Sequence, residues 1–480
     1  MRILFLQDTI DSESIGVAYI SAVLREAGHN TELFILSLER DIDSKIREYS
    51  PDIIAFSIVV TKQRFYERLG GYIKSRFPDI KIVAGGPFIT LKPEFVNQGF
   101  IDFGIVGEGE EAIVELVNSI ESKSSIDGIK NLVFKRDNEL IVNELRPLVE
   151  DIDRLPLPDR GLYLKYKSFR NLTVKRFISG RGCPYSCNFC FTRRFRDMYH
   201  NKGKYVRKHS VERVCEEIER LRSVSVVKTV HFSDDIFFTN KEWITKFYDI
   251  YPKRIGIPFQ CNLTASIIDE DVVRLLKEAG LRGVGIGLES GNEEIRNSVL
   301  NKRFSNDEVK RVAGLLHKYG IEIYTYNMIA LPKESIDDAL MTLELNREMG
   351  VGITQCNIAI PFEGLPLTDT AIDDGLLDSE GIASEMDKRP ETPIIKVEHP
   401  EQFERLFLLF PFLVKTRLKM RTIRWLLGMR LNFIYRILHR ITYIWNMKRY
   451  YDISLISGFK IFLDIKKGER YLKEFFKRCR

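Results

Sequence analysis

Short, wholly apolar runs alternate along this chain with stretches in which apolar residues recur every three or four positions. That alternation predicts buried parallel strands separated by amphipathic helices. RILFL (2–6), DIIAFSI (52–58), IKIVAGG (80–86) and IDFGIVGEG (101–109) are the first strands. A helix over 15–27 carries Ile15, Ala18, Ala22 and Val23 on one side and ends at Gly28. Residues 1–150 are therefore expected to form a doubly wound, Rossmann-like α/β domain, with ligands at the carboxyl ends of its strands. The prolines of LPLPDR mark 151–172 as a linker.

A second alternation fills 173–375. VKRFISG, KTVHFSD, IPFQCNLT, RGVGIGLE, IEIYTYNMIA and GITQCNIAI predict six strands, with helices near 210–222, 240–250, 269–279, 306–318 and 334–349. Six such units predict a partial (β/α)6 barrel with its chemistry at the carboxyl strand ends. Residues 371–400, acidic and proline-containing, are expected to be a connection. The region 376–480 is expected to end in basic helices, with Ile423, Leu427, Ile434, Leu438, Ile441 and Trp445 sharing one side.

Length and charge refine this picture. The 480 residues, 44% hydrophobic, require more than one domain. The net charge of +6 is uneven: residues 401–480 hold 19 Lys and Arg against 6 Asp and Glu, and the rest is net acidic. The start, MRILFLQDT, is too short an apolar run for a signal peptide, and no long uncharged apolar stretch occurs. A cytoplasmic protein is expected, with membrane association at the inner face an added option. For the basic C-terminal helices three readings stand: packing on the barrel to complete the substrate pocket, peripheral contact of 401–480 with an anionic bilayer, or nucleic-acid binding. No nucleic-acid-binding motif accompanies the charge, so nucleic acid is the least favoured.

Seven cysteines in so long a chain do not make a disulfide framework. Cys215, Cys261, Cys356 and Cys479 are scattered and are expected to be small apolar side chains. Cys183, Cys187 and Cys190 instead cluster in SGRGCPYSCNFC, directly after the first barrel strand. Three thiolates on one loop can bind three irons of a cubane and leave the fourth iron open. A structural zinc site would need a fourth ligand, for which His200 and His209 are candidates.

The spacing C-x-x-x-C-x-x-C after a β-strand, with Phe189 before the last cysteine, resembles the radical S-adenosylmethionine superfamily. The resemblance implies a 4Fe–4S cluster whose open iron is chelated by S-adenosylmethionine. It also implies one-electron cleavage of that cofactor to methionine and a 5′-deoxyadenosyl radical, with a flavodoxin- or ferredoxin-type electron donor. Asp234 and Asp235 in HFSDDIFF resemble the patch that receives the methionine ammonium group. Glu289 and Ser290 in GIGLESGN resemble positions that contact the ribose or methionine moiety. MIALPKES (328–335) resembles the segment near the adenine, but Ala330 and Lys333 stand where the family often has glycine.

The N-terminal domain resembles the cobalamin-binding domains of cobalamin-dependent radical S-adenosylmethionine enzymes. The matching pieces are the segment Asp8 to Gly16, Ser57 with Thr61, Gly85-Gly86-Pro87 with Thr90, and Gly107-Glu108-Gly109-Glu110. No D-x-H-x-x-G occurs, so no histidine is expected below the cobalt. No G-x-G-x-x-G follows the first strand, which disfavours a nucleotide site. A degenerate domain that binds nothing is the plain alternative. The expected activity is methylation of an unactivated carbon of a small-molecule or lipid-like substrate. A radical cyclase or rearrangement enzyme without net methyl transfer is a second reading. A non-catalytic cobalamin-binding sensor with a structural metal is a third.

Overall fold

The computed structural model describes residues 1–9, 13–238, 240–378, 391–451, 463–464, 466–468, 470–472 and 475. Cys479, part of the Asp8–Gly16 segment and part of the 371–400 connection lie outside them. The described chain divides into two compact units. The first comprises Met1–Asn171, Arg194–Arg207 and the described residues after 460; the second comprises Leu172–Arg193 and Lys208 onward to Tyr451. Arg194–Arg207 thus rejoins the first unit after the cysteine loop, which contiguous boundaries do not anticipate.

The first unit is a seven-stranded sheet of β1 (Arg2–Gln7), β2 (Asn30–Ile35), β3 (Ile53–Ser57), β4 (Lys81–Gly85), β5 (Phe103–Ile105), β6 (Leu132–Arg136) and β7 (Glu139–Val142), in the order β2-β1-β3-β4-β5-β6-β7. The strands from β2 to β5 are parallel, while β6 and β7 run antiparallel. Ile3, Leu4, Ile53, Ile54 and Ile82 are fully buried, as strands covered on both faces require. Gly28 ends the first helix at φ +89°. Two features lie outside the expected pattern. Strand β2 alternates in burial at the sheet edge and lacks a continuous apolar run. The β6–β7 hairpin turns on Asp137 and Asn138, both at positive φ, the backbone that two-residue hairpin turns favour.

The second unit holds β8 (Val174–Phe177), β9 (Thr229–Phe232), β10 (Phe259–Leu263), β11 (Leu281–Glu289), β12 (Glu322–Ile329) and β13 (Ile353–Ile358). Their spatial order is their chain order and all pairs are parallel, which makes an open half-barrel. The helices that return the chain start at side-chain caps: Ser210, Asn240, Asp269, Ser305 and Ser335.

Helices Pro400–Leu413, Met420–Gly428 and Asn432–Tyr451 belong to this same unit. The first packs on edge strand β13, and the last packs on the first. Phe403, Leu406, Leu409, Phe410 and Leu413 are buried there. The Arg347 guanidinium donates to the Leu413 carbonyl (3.2 and 2.9 Å) and to that of Leu418 (3.0 Å), satisfying a helix end. The expected apolar stripe is corrected. The chain breaks at Met429–Leu431, so two helices of independent phase replace one wheel. Ile423 and Leu427 are buried, whereas Ile434, Ile441 and Trp445 are exposed and Tyr435, Thr442 and Met447 face inward.

Because Phe410 fills this seam, Phe410→Ala should lower the stability of the second unit by about 3–5 kcal/mol. Exposed Trp425→Ser should change it by less than about 0.5 kcal/mol. Urea midpoints of the two variants check both values.

Candidate active site

Cys183, Cys187 and Cys190 lie partly buried on the loop that follows β8, where residues 182–190 carry no regular structure. Side-chain amides fix this loop to the segment after β11. The Asn188 backbone amide donates to the Leu300 carbonyl (2.9 Å) and its side chain to the Val299 carbonyl (2.9 Å). Asn301, in left-handed conformation at φ +51°, donates back to the Ser186 carbonyl (2.9 Å). Phe189 packs into an apolar cluster with Ile295, Leu300, Leu331 and Leu367.

Burial pushes all three thiols up, Cys183 to about 11, and repulsion from the neighbouring cysteines adds to this at Cys183 and Cys187. The Lys302 ammonium acts against burial at Cys187 and Cys190. Among the described residues no three His, Cys, Asp or Glu side chains are gathered at metal-binding distance. His209 is buried, its backbone amide donating to the Ser179 carbonyl (2.9 Å) and its carbonyl accepting from the Trp243 indole (2.8 Å).

The paired aspartates after β9 have different surroundings. Asp234 is buried and its carboxylate is committed: it accepts from the Ser179 amide (3.0 Å), the Ser179 hydroxyl (2.8 Å) and Lys208 (2.9 Å). Asp235 keeps an exposed surface, while surrounding protein, and then the neighbouring Asp234 charge, raise its carboxyl above the usual range. Its charge also bears on Cys183 and Cys190, which places it beside the cysteine loop. Glu289 is buried at φ +63° and is held by Lys302 at 3.0 Å. Ser290 is fully buried and its hydroxyl accepts from the Asn292 amide (3.2 Å), a turn-forming contact.

Ala330 and Lys333 take φ +61° and +62° although neither is glycine. The backbone there keeps the left-handed form, with its strain retained. Glu334, which sequence reasoning did not single out, braces this turn. It is buried, one carboxylate oxygen accepts from the Leu331 amide (3.0 Å), and the other has no partner. Burial raises its carboxyl to about 8.

In the first unit a cavity of about 240 Å³ opens at the carboxyl ends of β1 and β3, lined by Asp8, Thr9, Ser14, Ser57 and Lys62 among others. Asp8 pairs with Lys62 at 2.6 Å. Thr61 stands in the turn Val60–Lys62 beside it. Gly86 sits at φ +92°, and a Cβ there would lie 3.0 Å from the Ile58 backbone, so glycine is required. Gly85, by contrast, has ordinary space around it. Thr90 accepts from the Gly107 amide (3.0 Å) and donates to the Gly86 carbonyl (3.0 Å), tying two glycine turns together. Glu108 is held by a distant partner. Its carboxylate pairs with buried Arg207 (2.6 and 3.0 Å), and the Tyr199 hydroxyl sits where a Cβ on Gly107 would be. Gly109 precedes the helix Glu110–Ser122.

Residues 177–345 match the radical SAM superfamily, and residues 1–117 match the B12 binding domain. The chain is a radical S-adenosylmethionine enzyme with a B12-binding domain. This radical enzyme is 27% identical over 409 residues to an uncharacterized methyltransferase of Pyrococcus horikoshii, covering 82% of this chain and 85% of the relative. It is 25% identical over 377 residues to the anaerobic magnesium-protoporphyrin IX monomethyl ester cyclase of Rubrivivax gelatinosus, covering 72% and 66%. Among solved structures, the radical S-adenosylmethionine methyltransferase TsrM of Kitasatospora setae, with cobalamin and a 4Fe–4S cluster bound, shares the fold. Its TM-score is 0.66 at 14% identity, over 92% of this chain and 98% of that one.

The cofactors of the radical enzyme are a 4Fe–4S cluster, S-adenosylmethionine and cobalamin. The residues present fit them. Three thiols close enough to repel one another supply three soft ligands, and iron supplies the charge that deprotonates them. The cavity beside Ser57, at the carboxyl ends of the parallel strands, is where a doubly wound domain receives a ligand.

Glu334 gives this region a pH dependence. The unfolded chain loses that proton near 4.5, and the folded chain holds it to about 8. Stability contributed by the protonated form is therefore full below 4.5 and lost as pH rises towards 8. Glu334→Gln should melt increasingly above the wild type across that window. Thermal unfolding at stepped pH measures the difference, and a constant difference would contradict the assignment.

Proposed function

We propose that this enzyme transfers a methyl group to an unactivated carbon of a small-molecule substrate. The observation that carries the reading is the loop of three thiols at the strand ends of a half-barrel, in a chain that also holds a B12-binding domain. When bound, the cluster supplies the electron that splits S-adenosylmethionine into methionine and a hydrogen-abstracting radical, and cobalamin supplies the methyl group. Cys183, Cys187 and Cys190 would hold the cluster through three thiolates, leaving room for S-adenosylmethionine beside it. Asp235 receives the ammonium group, because Asp234 is already engaged by Ser179 and Lys208. Glu289, steadied by Lys302, accepts from the ribose or methionine moiety. Ser57, Thr61 and the Gly86 turn cradle cobalamin. A reduced flavodoxin- or ferredoxin-type protein delivers the electron.

Reconstituted enzyme with a reductant should form 5′-deoxyadenosine together with S-adenosylhomocysteine. Cys187→Ala should lose bound iron and both products; cleavage that persists in this variant would remove the cluster assignment. The similarity to a cyclase favours one second reading, in which 5′-deoxyadenosine forms without S-adenosylhomocysteine.

No described helix is long and apolar enough to cross a membrane. Trp425, Phe433, Ile434, Ile441 and Trp445 are nevertheless exposed on basic helices, which supports peripheral contact with an anionic bilayer. Removing 401–480 would strip the barrel of buried Phe403 and Phe410, so point changes are the sound test. The full chain should co-sediment with phosphatidylglycerol vesicles, and the combined Trp425→Ser, Phe433→Ser and Trp445→Ser variant should stay in the supernatant. Equal sedimentation would remove the bilayer contact.

A further inference from the structure

A cavity of about 490 Å³ lies within the second unit, between the half-barrel strands and the helices Pro400–Leu413 and Asn432–Tyr451. Its volume suits a compact organic molecule. Strand register places it on the lumen side. Tyr324 pairs with Gly285 and Ile353, and Tyr326 with Gly287 and Gln355. Gly287 stands two residues before Glu289 on the same strand, so the cavity reaches to within about 7 Å of the level of that carboxylate.

The alternate glycines of β11 shape this wall. A Cβ on Gly283 would lie 2.6 Å from the Tyr324 ring, and one on Gly285 would lie 3.1 Å from the Tyr326 ring. Both rings therefore pack closely against the glycine face of the strand. Their hydroxyls are already used: Tyr324 accepts from Gln260 (3.0 Å) and donates to Glu322 (3.1 Å), and Tyr326 donates to Asn262 (3.2 Å). From the helical side, the Tyr450 hydroxyl bonds His231 Nδ1 (3.0 Å), and its ring stands edge-on to Tyr324 at 5.5 Å. What remains for a ligand is ring faces, with the amides of Gln355, Asn357 and Asn446 around them.

The wall is nearly uncharged. Burial lowers His231 to about 3 and also lowers His439, so both imidazoles are neutral. No carboxylate lines the cavity among the described residues, and Arg176 is its one permanent charge.

We propose that this cavity is the substrate site and that it takes a flat, conjugated ring with hydrogen-bonding edges, neither an aliphatic lipid nor a cation. The inference rests on the radical methyltransferase reading and specifies its substrate. Aromatic faces select a planar π-system by stacking, side-chain amides select polar edges, and a cation would find no counter-charge.

The test is equilibrium dialysis of the anaerobically reconstituted full chain against indole, tryptamine and n-decanol as probes. Indole should bind more tightly than either of the others. Tyr326→Phe should hold indole affinity within about two-fold, and Tyr326→Leu should lower it at least about five-fold. Ile353→Phe, which fills the cavity, should also lower it and decides the matter if Tyr326→Leu loses iron and cobalamin. Tighter binding of n-decanol or tryptamine, or indole affinity unchanged in Ile353→Phe, would overturn the proposal. Formation of 5′-deoxyadenosine in the same samples reports separately on the radical reading.

Discussion

Three thiols must be held in a fixed, open arrangement by a loop with no helix or strand of its own. The solution is a reciprocal set of amide-to-carbonyl bonds. Asn188 reaches the chain after β11, and Asn301 reaches back to Ser186. Each such bond contributes about 1 kcal/mol, and together they make the cysteine loop and residues 299–302 one body. That body also carries Lys302, and Lys302 holds Glu289. The thiols and the carboxylate proposed for the sulfonium cofactor therefore share one register. The strain at Asn301 and Glu289, both in left-handed backbone, is the cost of this arrangement.

A related compromise runs down β11. Glycines inside a strand weaken it by about 0.5–1 kcal/mol each. Gly283, Gly285 and Gly287 are tolerated because β11 is central and paired along both edges. The room left at Gly283 and Gly285 is occupied by tyrosine rings, and that at Gly287 by Lys302 and Glu289. The C-terminal helices then close the other side, with Arg347 and buried Phe410 anchoring them to the unit. A barrel of six strands leaves an open flank, and here the chain covers it with its own helices.

Much of this was legible in the sequence because it depends on local patterns. Apolar runs marked the buried strands, three-to-four-residue periodicity marked the helices between them, and the cysteine spacing marked the loop. What stayed hidden depends on partners distant in the chain. Asp234 and Asp235 are indistinguishable as letters, yet Ser179 and Lys208 claim only the first. Glu108 is paired with Arg207, a partner 99 residues away that no local pattern announces. Glu334 gave no periodic pattern, and only its burial reveals it. Ile434 and Trp445 do share one face of the helix Asn432–Tyr451, but the face that packs inward is the one carrying Tyr435, Thr442 and Met447. The Asp137-Asn138 pair, in contrast, was a readable turn between two apolar runs and could have located the β6–β7 hairpin.

Charge is distributed along the barrel axis in a way that suits radical chemistry. The strand ends gather Asp235, Glu289, Lys302 and the thiols, the groups proposed for an ionic cofactor and a metal. Below them the lumen turns to tyrosine rings, amides and neutral histidines, with Arg176 as its one permanent charge among the described residues. Burial raises the Tyr324, Tyr326 and Tyr450 hydroxyls, so these phenols stay protonated and contribute no charge. A carbon radical needs no stabilising counter-ion, but it must be kept from competing reactants by a closed wall. A lumen that offers stacking surface and few charges can hold a neutral ring rigidly beneath an ionic mouth.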